Sequence, residues 1–137
     1  MKTNYEGNRA LDARYGDGTY TKPATVYMGL FLAMPASPGA AGTEITIGVG
    51  GYARVALTND AATFPDAVAR LKAVGVVVTF PMASAPGWGS TVGFGFWDAP
   101  TGGNLQDYAQ YTGGVPKVVN AGDVLSFPAG SLQFAEN

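Results

Sequence analysis

The sequence predicts an all-β fold: a single-domain antiparallel β-sandwich or jelly-roll-like barrel with a short N-terminal helix. Three observations predict it. Roughly seven to nine short runs rich in β-branched and aromatic residues recur along the chain. Turn-forming clusters separate them at fairly regular spacing, drawn from 20 Gly and 9 Pro together with Asn and Asp. Helical periodicity is confined to one or two short stretches. At 137 residues the chain is one domain's worth, and a domain of this size buries about 65–70% of its unfolded surface without needing a disulfide or metal.

The helical pattern lies at residues 4 to 15. Leu11 and Tyr15 sit one turn apart, with Ala10 and the stem of Arg14 beside them, and Gly16-Asp17-Gly18 stops the run. Gly7 weakens a helix that is already marginal at this length, so its stability must come from docking on the sheet or on another chain. The expected division is therefore residues 1–18, a helical arm contacting a neighbouring subunit through Tyr5, Arg9, Leu11, Arg14 and Tyr15, and residues 19–137, the β-sandwich.

Ala24 to Met34, ATVYMGLFLAM, is the most strand-like run. Its near-continuous apolarity implies burial on both faces, although periodicity alone leaves a buried helix as the alternative. Pro35 to Gly42 holds too many breakers for regular structure. Ile45 and Ile47 alternate with Glu44 and Thr46 as a short half-buried strand, Gly48-Val-Gly-Gly51 interrupts it, and Tyr52 to Leu57 resumes as strand. The pattern then weakens. Asn59-Asp60 and Pro65-Asp66 signal turns, and Asp66 to Val74 reads as one or two helical turns behind Pro65. Val76 to Phe80 is a strand ended by Pro81.

Gly87 to Leu105 reads as the central hairpin. Val92, Phe94 and Phe96 alternate with Gly93, Gly95 and Trp97, which makes one face bulky and the other nearly bare. Glycine inside a strand costs stability unless something needs the space, here a neighbouring aromatic group. Asp98-Ala-Pro-Thr-Gly-Gly-Asn104 forms the turn that sets the register. In the next strand, Leu105 to Tyr111, alternation puts Leu105, Asp107, Ala109 and Tyr111 on one face. Trp88, Gly93, Gly95, Trp97, Asp98 and Asn104 are the residues on which this packing centre depends. Val115 to Val119 and Val124 to Phe127 flank a turn at Asn120 to Asp123, and Ser131 to Ala135 closes the domain. Thr63-Phe-Pro65, Thr79-Phe-Pro81 and Ser126-Phe-Pro128 end runs in a similar way and read as recurring strand exits.

Composition narrows the function. Charged residues make up 13% of the chain, about half the usual share, so part of the surface is expected to be covered by neighbours. The 8 basic and 10 acidic residues do not cluster, which argues against nucleic acid as a partner. There is no Cys and no His, which removes thiolate chemistry, the commonest general base and the commonest transition-metal ligand. Asp98 and Asp107 could be imagined as a glycosidase-like pair, but an Asp in this turn context bonds its own downstream backbone. Asp12, Asp17 and Asp123 lack the alternating spacing of a calcium loop. The glycine clusters lack the strand-then-helix setting that binds phosphates, and the Ser and Thr residues have no His to activate them. No cofactor, metal or catalytic residue is expected. Trp88, Trp97, Tyr108 and Tyr111 suit either a sugar-stacking platform or, the favoured reading, core packing across Gly93 and Gly95. The N-terminus lacks the pattern of a secretory signal. The longest apolar run, Val26 to Ala36, falls far short of the roughly 20 residues of a membrane helix. Synthesis in a cytoplasm, with no membrane partner, follows as an expectation.

The order of segments resembles a group of small bacteriophage virion proteins described as tail-fibre-like or head-decoration-like. The residues carrying the resemblance are Ala24 to Phe31, Gly50-Gly-Tyr-Ala-Arg54, Val78-Thr-Phe-Pro81, Trp88-Gly89, Gly95-Phe-Trp-Asp98, Thr101-Gly-Gly-Asn-Leu105 and Asn120 to Gly130. Similar proteins tend to begin with an apolar helix, whereas the first fifteen residues here are more polar. The resemblance implies a β-rich, non-enzymatic virion component without deciding between head and tail. The leading expectation is a capsid decoration or cement protein that stabilises the head by binding across capsid subunits. Its partners would be other virion proteins, above all the major capsid protein, and further copies of itself, with a trimer favoured. The alternative is a tail-fibre or baseplate component that binds a host glycan or receptor.

Overall fold

A computed structural model describes residues 1–135. Residues 136 and 137, the end of the expected β-sandwich segment, lie outside the described residues. Among the described residues one α-helix, α1 (Asn4–Arg14), precedes eleven strands, with a 3-10 turn at Val49–Gly51: β1 (Thr25–Ala33), β2 (Thr43–Glu44), β3 (Val55–Thr58), β4 (Leu71–Ala73), β5 (Val78–Thr79), β6 (Gly89–Thr91), β7 (Gly93–Trp97), β8 (Leu105–Gln110), β9 (Lys117–Val119), β10 (Ser126–Phe127) and β11 (Gln133–Ala135). The fold is all-β, as the sequence predicts.

The main sheet runs β2-β1-β7-β8, with β3 beside the first half of β1, and every pairing is antiparallel. The run from Ala24 to Met34 is thus a strand at the heart of the sheet and not a helix. It is covered on both sides, which is why its sequence is apolar almost throughout. On one face Val26, Met28, Leu30, Phe94 and Phe96 enter the main core. On the other, Phe31, Trp97 and Tyr108 form a second, smaller cluster.

Three two-stranded ribbons, β4 with β11, β5 with β10 and β6 with β9, complete the β-structure. They and their flanking loops bring Val74, Val78, Phe80, Val119, Phe127 and Leu132 into the main core. The β5–β10 ribbon is cut short by a proline. Val78 pairs with Phe127, so Val77 falls opposite Pro128, which has no N–H to extend the ladder. The predicted strand from Val76 to Phe80 therefore shrinks to two residues. Two of the three expected strand exits leave strands, β5 and β10, whereas Thr63-Phe64-Pro65 lies in a turn after β3; Phe64, Phe80 and Phe127 are nonetheless all buried in the same core.

Four local expectations change. The strand expected through Ile45 and Ile47 ends at Glu44. Asp66 to Val74 is not helical: Val68 and Leu71 exchange backbone hydrogen bonds of 3.0 and 2.9 Å across a two-residue turn. Ala69 (φ 51°) and Arg70 (φ 66°) both adopt left-handed backbone there. That turn type normally calls for Asn-Gly, so Ala-Arg carried no signal for it. Val92 does not join Phe94 and Phe96 but packs in the second cluster, because the chain breaks between β6 and β7 and Val92 N–H donates to the carbonyl of Phe31 at 2.8 Å. Leu105 does not share a face with Asp107 and Ala109. Phe96 pairs with Asp107 but Trp97 pairs with Leu105, so Gln106 is the extra residue of a β-bulge, and one inserted residue flips the alternation.

Residues 1 to 3 lie along the outer edge of β8. Lys2 bridges Asp107, Thr3 N–H donates to the Gln106 carbonyl at 2.9 Å and Tyr108 N–H to the Met1 carbonyl at 2.8 Å. This segment covers an edge that would otherwise be open to pairing with another chain. Thr3 then caps α1 by accepting from Glu6 N–H at 3.3 Å, while its hydroxyl reaches the Leu105 carbonyl at 2.7 Å.

Candidate functional site

The bare face predicted for the central hairpin is a trench, and its floor includes a glycine in β1. Gly29 pairs with Gly95 across β1 and β7, and the indole of Trp97 lies over both. A Cβ on Gly29 would stand 2.8 Å from Trp97 Cζ3, and one on Gly95 would stand 3.1 Å from the same atom. Phe31 packs against the indole with ring centres 5.3 Å apart. The Arg54 guanidinium is stacked over the indole, 4.2 Å from a ring centroid. That guanidinium makes a fork to Glu44, Nε to Oε1 at 2.8 Å and Nη2 to Oε2 at 2.7 Å. Nη1 donates to the carbonyls of Ala99 at 2.7 Å and Gly102 at 2.9 Å. Only 3% of the Arg54 side chain is exposed. Tyr52 completes the cluster by donating to Glu44 Oε1 at 2.8 Å and accepting from Leu30 N–H at 2.9 Å. Burial, reinforced by the Glu44 carboxylate, pushes the Tyr52 phenol far above its ordinary range.

Arg54 thus braces the hairpin turn from outside, and the turn braces itself from inside. Asp98 Oδ1 accepts from Asn104 N–H at 2.7 Å and Oδ2 from the Asn104 amide at 3.0 Å. Partial burial acts to raise the Asp98 carboxyl, but the hydrogen bonds from Asn104 outweigh it and hold it below the ordinary 3.8. A general acid needs the opposite shift. Asp60 is likewise held low by hydrogen bonding from Thr63, whose N–H lies 2.9 Å from Oδ1. Both groups favour the folded state when ionised, so their contribution is present well above 3.8 and is lost as pH falls through the lower folded values. Melting temperature followed from pH 7 to pH 2 should hold to about pH 5 and then fall, and Asp98→Asn should shallow that fall.

The four aromatic residues of the imagined sugar platform are divided between two clusters. Trp88 and Tyr111 belong to the main core, Trp97 and Tyr108 to the second cluster, and none is more than 6% exposed. Trp88 packs edge-on to Tyr52 and Phe80 and donates its indole N–H to the Gly50 carbonyl at 2.9 Å. Burial pushes the Tyr111 phenol up to about 12 even though it bonds Thr91. Asp123 accepts from Asn120 N–H at 2.8 Å inside its own turn. Among the described residues no group of three or more His, Cys, Asp or Glu could hold a metal ion, and no helix is long and apolar enough to cross a membrane.

Helix α1 docks through polar groups. Its buried residue is Glu6, which receives the Tyr20 hydroxyl and Arg9 Nη1, the latter at 3.2 Å. Arg9 also donates to the Thr21 carbonyl at 2.6 Å and lies over the Tyr20 ring at 4.5 Å. The apolar residues of the helix point elsewhere: Tyr5 is 39%, Leu11 53% and Tyr15 70% exposed, and Arg14 is exposed as well. Of the five arm residues named from sequence, Arg9 is therefore engaged within the chain, and the other four lie on the surface. Beside this helix opens a cavity of about 290 Å³, lined among others by Glu6, Arg70, Lys72, Phe96, Gln106 and Phe134.

Sequence reasoning passed over Gly29, Glu44, Arg54, Glu6 and Gln106. A glycine within the bulkiest run and an arginine within a strand-like one were the available signals.

The fold and these clusters define a structural β-protein in which charged side chains brace turns and dock the helix. Residues 1–135 match the family model described as podophage GP4 fiber I protein gp80, and the chain belongs to that family. It is a bacteriophage virion structural protein, as the resemblance implied, and the family match makes the type tail-fibre-like, which the resemblance had left open. No curated protein matches the chain.

Proposed function

We propose that the protein is a component of a phage tail fibre, a non-enzymatic β-domain that joins other virion proteins and presents a surface to a host receptor. The observation that carries this reading is the match of nearly the whole chain to a fibre protein family. It favours the tail over the leading sequence expectation of a capsid decoration protein bound across the major capsid protein, for which only composition speaks. The exposed side of α1, with Tyr5, Leu11, Arg14 and Tyr15, supports a contact with a neighbouring chain. That neighbour is either another virion protein or a further copy in a cyclic assembly such as a trimer.

Imaging particles with and without this chain, together with counting its copies, tests the reading. The expected result is tail-associated density, a small number of copies per particle, and α1 seated against a neighbour. Density spread over the head, with copies on the order of hundreds as an icosahedral lattice would demand, would overturn it.

A further inference from the structure

The two edges of the main sheet are finished differently. The outer edge of β8 is covered by residues 1–3 of the chain itself. At the opposite edge β3 pairs with β1, and no strand lies beyond it among the described residues. The direction of its main-chain groups follows from its neighbours. Asn59 N–H donates to the Ala24 carbonyl at 2.9 Å and Ile45 N–H to the Leu30 carbonyl at 3.2 Å, so the even-numbered residues of β1 turn their main-chain groups toward this edge. Alternation then bonds Val26 to Leu57 and Met28 to Val55, and Arg54, Ala56 and Thr58 aim their groups outward. Among the described residues the N–H groups of these three and the carbonyls of Arg54 and Ala56 have no hydrogen-bond partner, while the Thr58 carbonyl receives Asp60 N–H at 3.0 Å.

Exposed edges are normally blunted by proline, lysine or a bulge. Residues 53 to 58, Ala-Arg-Val-Ala-Leu-Thr, contain no proline or lysine, and the register of β1 with β3 runs without a shift. The one charge, on Arg54, is neutralised by its fork to Glu44 and lies over Trp97. Ala56 is exposed and stands opposite Tyr27, which is half-buried. This edge therefore offers main-chain donors and acceptors with no net charge and a small side chain at its centre.

We propose that β3 is the docking edge for a second copy of this chain, joined β3 to β3 in antiparallel across a twofold axis at Ala56. In that register Ala56 exchanges both main-chain bonds with the partner's Ala56, and Arg54 exchanges its own with the partner's Thr58. Each Arg54 is set against a threonine, so the two guanidiniums do not oppose one another. The two alanines at the seam leave room for each Tyr27 ring to lie across it onto the other copy. A second copy fits better than a foreign strand because the edge is complementary to itself, each outward donor meeting an acceptor of the same strand. The buried area is small, so the association is reversible. This contact is separate from the exposed side of α1 and holds wherever on the particle the chain sits.

Sedimentation of the full chain between about 1 and about 500 µM tests it. The expected result is a monomer–dimer equilibrium with a midpoint of about 10–100 µM, in keeping with a small interface. Amide exchange at Ala56 should slow as the dimer fills. Ala56→Lys and Ala56→Glu, which oppose like charges across the axis, should each weaken the dimer by about tenfold or more, with near-UV circular dichroism showing that both still fold. An equimolar mixture of the two should dimerise again, because the twofold sets position 56 against itself. Ala56→Pro should abolish the dimer and keep the pairing of β3 with β1, since the N–H it removes faces outward. A chain that stays monomeric at about 500 µM, a dimer that survives both charge substitutions, or a mixture that does not recover would overturn the proposal. So would a dimer lost with Leu11→Ala but kept with Ala56→Lys, which would place the contact on α1.

Discussion

Arg54→Ala should destabilise the protein by about 3–5 kcal/mol, the usual cost of removing one member of a buried ion pair. The substitution strands Glu44, whose side chain is 18% exposed, with the Tyr52 hydroxyl as its remaining donor in that cluster. It also leaves the carbonyls of Ala99 and Gly102 without the guanidinium and uncovers the Trp97 indole. Denaturant unfolding measures the loss. Hydrogen exchange should show the turn from Asp98 to Asn104 opening more readily than the rest of β7 and β8. Arg54→Lys should recover only a minor part, since an ammonium cannot make the fork to Glu44 while also reaching two carbonyls. A loss below about 1 kcal/mol, the range of an exposed pair, would show that the cluster is not a brace.

Gly95→Val should cost about 3 kcal/mol or abolish cooperative unfolding, through overpacking. The first added carbon already stands 2.8 Å from Leu105 Cδ1 and 2.8 Å from Phe31 Cε2. Those neighbours have little room to yield, because Phe31 is fully buried and in contact with Trp97. The loss of near-UV circular dichroism and of a sharp thermal transition are the readouts. Gly7→Ala provides the contrast: nothing lies within 4 Å of its added carbon, and in a helix interior the change should stabilise by up to about 1 kcal/mol. A Gly95→Val protein that melts like the parent would mean that the packing centre lies elsewhere.

Much of this frame was legible because its causes are local. The helix at Asn4–Arg14, the apolar run of β1, and the emptiness opposite Phe94 and Phe96 follow from side-chain period and size. The Asp98 to Asn104 turn follows from an aspartate bonding its own downstream backbone. What was not legible depends on partners distant in sequence. Arg54 meets Glu44 ten residues away and Ala99 forty-five away, and neither spacing leaves a mark on the chain. The cavity beside α1 is lined from α1, β1, β7, β8, β11 and the Val68 to Leu71 hairpin, and the bulge at Gln106 is one that alternation alone could not reveal.

The sequence by itself determined that this protein is all-β, where most of its turns fall, and that the hairpin around Gly95 must receive something large. It also carried the resemblance that led toward a phage particle. Only the tertiary structure decided that Trp97 fills that space with Arg54 above it, that Val92 and Leu105 belong to the second cluster, and that Gln106 is buried as the extra residue of a bulge. The division has a physical origin. Period and turn chemistry are properties of neighbouring residues, whereas strand partners, register and bulges are settled by competition among many long-range pairings, and no single segment encodes the outcome.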